Sequence, residues 1–139
     1  MRINYNSKEI IREIYVHDSL FCGFNYNYDE RIISFTCKQI TVCEQISYCK
    51  KHHFNFNNVI ACNMQSCVFW GEGYNILSFS YEENSPYFKQ LLAFQQSNPE
   101  SYKYSYLNRD IKYITVEFQI NSGDVLTIIC ENIDYEVEE

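Results

Sequence analysis

Hydrophobic and polar residues alternate along much of this chain, which is the spacing of strands that bury one face. The first clear run opens at Leu20, where Leu20, Cys22, Phe24, Tyr26 and Tyr28 alternate with Phe21, Gly23, Asn25, Asn27 and Asp29. The even positions are therefore expected to face the core. Asn27-Tyr28-Asp29-Glu30 carries turn formers, and Arg31 to Thr36 returns with Ile33, Phe35 and Cys37 as a buried row, predicting a hairpin. Upstream, Ile10, Ile14 and Val16 share one strand face, although Ile10, Ile11, Ile14 and Tyr15 also suit helical turns; a strand is the expectation.

Further along, Phe54, Phe56, Ile60, Cys62 and Met64 place apolar groups on even positions, and Cys67 to Trp70 continues the β-prone composition to Gly71-Glu72-Gly73. A turn there leads into a strand across Tyr74 to Tyr81. A Gly-x-Gly can instead cradle phosphate, but that use needs a fuller glycine pattern and a following helix, neither of which is present. Asn84-Ser85-Pro86 starts a helix, with Ser85 capping the free amides and Pro86 at the first helical position. Tyr87, Phe88, Leu91, Leu92 and Phe94 then form one apolar stripe expected to pack on the sheet, and Asn98-Pro99 ends the run.

Near the C-terminus, Ile114, Val116, Phe118 and Ile120 alternate with Thr115, Glu117 and Gln119 before the turn Asn121-Ser122-Gly123-Asp124, and Val125 to Cys130 pairs with them. The alternation changes phase between Cys130 and Ile133, so a break is expected at Glu131-Asn132. The final residues then form a charged edge strand. Together these elements predict an α+β domain, mainly an antiparallel β-sheet or sandwich of about six or seven strands with one amphipathic helix over residues 85 to 97.

Composition narrows the picture. A chain of 139 residues fits a single globular domain over 1–139, and an apolar fraction of 46% with only two prolines excludes a disordered chain. No apolar run reaches membrane-spanning length, and Met1 to Glu13 is broken by charges where a secretory segment would be apolar. Seven cysteines, at 22, 37, 43, 49, 62, 67 and 130, are odd in number and lack a Cys-x-x-Cys pair. They read as reduced thiols of a cytoplasmic protein, several of them small buried hydrophobes.

Charge is uneven. After Arg109 the acids Asp110, Glu117, Asp124, Glu131, Asp134, Glu136, Glu138 and Glu139 face one base, Lys112, and this stretch accounts for the net charge of −7. Such a surface repels nucleic-acid phosphates and suits a basic protein partner.

Candidate chemistry is sparse. His17-Asp18-Ser19 holds the residue types of a hydrolytic triad, but strand neighbours point to opposite faces, so Asp18 and Ser19 are expected to shape a bend. Glu82-Glu83 is expected in a loop, where exposure keeps both carboxyls ionised. Cys43, Cys49, His52 and His53 are the alternative candidates for a metal or thiol-dependent site, although their spacing matches no common zinc module. Tyr102, Tyr104 and Tyr106, at a period of two, line one face if extended; with Trp70, Glu136 and Glu138 they are the candidate partner-binding residues. No cofactor is implied.

The stretch His17-Asp18-Ser19-Leu20 before an alternating strand, followed by Trp70-Gly71, a capped helix and two terminal strands, resembles small bacterial β-rich proteins, some of them immunity proteins of toxin systems. The resemblance implies a non-enzymatic inhibitor that captures a toxin stoichiometrically.

Overall fold

In the computed structural model, which describes residues 1–65, 74–102 and 107–139, nine strands form two antiparallel sheets. In chain order they are β1 (Arg2–Asn4), β2 (Leu20–Asn27), β3 (Ile32–Cys43), β4 (Ile46–Asn57), β5 (Ala61–Gln65), β6 (Ile76–Glu82), β7 (Ile114–Ile120), β8 (Val125–Cys130) and β9 (Asn132–Glu138). One sheet runs β1-β9-β4-β3-β2 and the other β5-β8-β7-β6. The β-rich α+β class is as expected, with more strands than the six or seven anticipated.

The extra strands come from places where sequence runs divide. Phe54 to Met64 reads as one alternating segment, yet Asn58 takes a positive φ of 51° and breaks it, so β4 and β5 enter different sheets. The phase change at Glu131 has the same meaning: β8 lies in the four-stranded sheet and β9 crosses to the five-stranded one. β9 is not the edge strand anticipated. It pairs with β4 from Asn132 to Glu138 on one side and with β1 on the other, as Arg2↔Asp134 and Ile3↔Ile133.

Aromatic residues join the sheets. Phe35 of β3 stacks on Phe118 of β7 with centroids 4.0 Å apart, and Phe79 of β6 covers Phe118 at 4.4 Å. Phe54 meets Phe79 edge-on at 5.1 Å. The alternations of β3 and β7 thus form the two inner faces of a sandwich. In β2 the expected even-numbered face is not the buried one throughout: Cys22 and Phe24 are exposed, whereas Phe21 packs on Phe35. A register shift between Phe21 and Phe24, with Gly23 at φ 106°, switches the strand's face.

The N-terminal segment is a 3₁₀ helix over Tyr5–Glu13, not a strand. Asn4 starts it by accepting from the Asn6 and Ser7 amides while the Ser7 hydroxyl takes the Asn4 amide, and this reciprocal cap outweighs the weak strand pattern. Ile11 is its buried anchor.

Helix α1 (Pro86–Ser97) has the predicted bounds, with Ser85 Oγ accepting from the Phe88 amide at 3.2 Å. Its apolar stripe does not bury fully on the sheet. No residue of α1 is buried, Phe94 stays 43% exposed, and Phe88 meets Tyr113 edge-on at 6.0 Å. The short α2 (Pro99–Tyr102) follows.

Candidate functional site

Strands β3 and β4 are the longest, and they outrun the strands beside them. They pair continuously from Ile33↔Phe56 to Cys43↔Ile46. β2 accompanies β3 only as far as Lys38, and β9 accompanies β4 only as far as Lys51. Beyond those points the hairpin is a bare ribbon reaching about 17 Å past the sheet at the ordinary rise per residue. No ladder among the described residues covers either of its edges. Its tip turns through Glu44 and Gln45 at φ 51° and 66°, the sign of angle a two-residue hairpin turn requires.

Every residue from Ile40 to Lys50 is exposed. Partners directly opposite in an antiparallel ladder share a face, so Ile40 with Cys49 and Val42 with Ser47 lie on the outer face. Thr41 with Tyr48 and Cys43 with Ile46 lie on the inner one. Ile40, Val42, Ile46 and Tyr48 are 54%, 67%, 55% and 56% exposed, so both faces present large apolar groups to water.

At the base of the arm the inner face descends into a cleft of about 420 Å³, walled on one side by Ile10, Ile14 and Tyr15. Its floor is His52, only 3% exposed. The Gln39 Oε1 oxygen, 3.2 Å from His52 Nε2, can only accept, so Nε2 carries the proton. Nδ1 then accepts from the Tyr135 hydroxyl at 2.8 Å. Burial, followed by the nearby Lys50 charge, lowers the His52 pKa and keeps the ring neutral, while burial raises that of Tyr135.

The outer face beside the arm is zwitterionic. Arg2 grips Asp134 through two bonds of 2.8 and 2.9 Å, and His53 Nε2 lies 2.9 Å from Glu138. That hydrogen bond, with the Lys51 charge, lowers the Glu138 pKa. Of the two glutamates expected to meet a partner, Glu138 is thus engaged by its own chain, and Glu136 sits exposed opposite His53. Trp70, Tyr104 and Tyr106 lie outside the described residues. Tyr102 ends α2, so its backbone is helical and does not belong to the extended tyrosine row anticipated.

The four candidate metal ligands are spread out by the same hairpin. His52 and His53 point to opposite faces, as do Cys43 and Cys49, and Cys43 is at the tip while His52 is at the base. Among the described residues no three His, Cys, Asp or Glu side chains converge for a metal. Cys37 and Cys130 are fully buried, and burial pushes the Cys37 thiol up to about 12. Cys22, Cys43 and Cys49 are exposed, and Cys62 is partly buried.

The His17-Asp18-Ser19 stretch is the bend expected. Asp18 has φ 64°, its amide donates to the Ile76 carbonyl, and Ser19 is fully buried. The Glu82 carboxyl departs from expectation. It ends β6 and hydrogen-bonds Glu117 of β7, and that bond, with partial burial and the Glu117 charge, raises its pKa to about 7. Only the β6–β7 register brings the two together, so adjacent acids in the sequence gave no sign of it. No protein-family model, curated protein or solved structure matches the chain.

Proposed function

We propose that this chain is a non-enzymatic protein-interaction domain and that the β3–β4 arm is its contact element. The observation that carries this reading is the exposure of Ile40, Val42, Ile46 and Tyr48 on one projecting ribbon. Large apolar side chains exposed on both faces of one ribbon are costly to leave in water, and such groups are concentrated where proteins meet. The ribbon's open edges add unpaired backbone donors and acceptors, which suit a partner that contributes a strand.

The net charge of −7 favours a partner with basic groups, and the resemblance to immunity proteins gives that partner a class, a toxin domain captured stoichiometrically in the cytoplasm. No helix among the described residues is long and apolar enough to cross a membrane.

The test is co-expression with toxins encoded beside the gene, comparing the native chain with a Val42→Asp, Tyr48→Asp double variant. Both positions are exposed, so the fold is retained and circular dichroism verifies it. The native chain is expected to protect the cell and co-purify with the toxin, while the variant does neither. Equal protection by both chains removes the arm from the interface, and protection by neither overturns the immunity role.

A further inference from the structure

A second binding surface lies at the base of the arm. We infer that the His52 cleft is a site for a small apolar carboxylate. The inference goes beyond the protein-binding reading and rests on the cleft's floor and walls, not on the arm's tip.

The floor has a direction. Tyr135 donates to His52, His52 donates to Gln39, and the donation ends at the Gln39 side-chain amide, whose two N–H groups are left to serve whatever enters. Neutral groups linked in this way polarise one another and strengthen the terminal donor. Beside Gln39, and directly opposite it in the ladder, is Lys50. An amide N–H and an ammonium at one spot call for an acceptor that carries negative charge.

The Lys50 ammonium already receives a carboxylate, from a residue that lies outside the cleft lining. Glu139 reaches Lys50 at 3.5 Å, with both side chains largely exposed, so the pair is loose and exchangeable. Glu13 is the acid in the cleft wall and is exposed at the rim. Met1, whose terminal ammonium donates to the Tyr135 carbonyl, also lines the cleft, and the apolar Tyr15 and Val137 are 65% and 41% exposed around the buried polar floor. Apolar walls above a few convergent polar groups, in a volume of about 420 Å³, have the composition of a small-molecule site. The apolar body of the ligand would cover Ile14, Tyr15 and Val137 while its carboxylate displaces Glu139 from Lys50.

The experiment uses the full chain and three probes of one length: hexanoate, hexan-1-ol and hexylammonium. Carbon–proton NMR follows the His52 ring and the methyl groups of Ile14 and Val137. Hexanoate is expected to shift all three saturably and to bind about tenfold more tightly than hexan-1-ol, the increment of one charge-assisted hydrogen bond. Lys50→Met should remove that advantage while hexan-1-ol binding stays unchanged, a split that a merely structural role of Lys50 would not produce. Three results overturn the inference: no shift with hexanoate, equal binding of hexanoate and hexan-1-ol, or tighter binding of hexylammonium, which would make Glu13 dominant. None of these results bears on the arm, because the double variant at Val42 and Tyr48 leaves the cleft floor intact.

Discussion

Phe35 and Phe118 lie face to face across the sandwich, their rings 14° from parallel and 4.0 Å apart, and this contact ties the five-stranded sheet to the four-stranded one. Phe118 is fully buried and also touches Phe54, Phe56 and Phe79. Phe118→Ala should therefore cost about 3–5 kcal/mol, because the cavity opens between two sheets that cannot close over it. Urea denaturation measures this, and a loss below about 1 kcal/mol would show that the sheets repack.

The hydrogen bond from Tyr135 to His52 carries a pH signature. The folded-state pKa of His52 lies below its ordinary value of 6.5, so the unfolded chain binds the proton more readily. This contribution to stability is complete above pH 6.5 and is lost as pH falls through the folded pKa. Tyr135→Phe leaves Nδ1 buried without a donor and should cost about 1–3 kcal/mol at pH 7.5. Unfolding measured from pH 5 to 8 should lose this component in His52→Gln.

Glu82 has the opposite sign. Its pKa is raised from 4.5 to about 7, so the folded state holds the proton more tightly than the unfolded chain. That contribution is fully present below pH 4.5 and is lost as pH rises through about 7. Glu82→Gln keeps a donor to Glu117 and removes the repulsion. Because the site is only partly buried, the gain at pH 8 should be no more than about 1 kcal/mol, and absent at pH 4. A thermal melt at each pH separates the two cases.

Thiol labelling distinguishes arm from core. Cys43 and Cys49 on the arm, with Cys22, should react with a maleimide in the native state, whereas Cys37 and Cys130 should react only on unfolding. Rapid native labelling of Cys37 would contradict its burial and its raised pKa.

Several elements were legible because one local signal sufficed. Ser85-Pro86 set the start of α1, and Asn121 to Asp124 set the turn between β7 and β8, with Gly123 at φ 95°. The arm was not legible because its turn uses Glu44 and Gln45, which carry none of the usual hairpin composition, although both adopt positive φ. The cysteines and histidines nearby read as possible ligands, and only the register shows that adjacent members face apart. The cleft was hidden for a different reason. Gln39, His52 and Tyr135 come from three strands, and the two ends of its central hydrogen bond are 83 residues apart. Pattern reports which residues are inward, not which inward residues meet.

The position of β9 between β1 and β4 sets the order in which this molecule can be assembled. During synthesis the β2–β3–β4 meander can form as soon as residue 57 has emerged, but β1 has no neighbour until Asn132 to Asp134 follow. β1 waits for a partner far downstream in the sequence, and β4 waits with one edge open. Such distant pairings slow folding and leave nascent edges available to other chains. A ribosome-bound fragment ending before Asn132 would lack the strand that seats Ile133 and Tyr135 against Phe56 and Phe54, so His52 would have no Tyr135 partner. The cleft is therefore completed only when β9 slides between two strands that were made long before it.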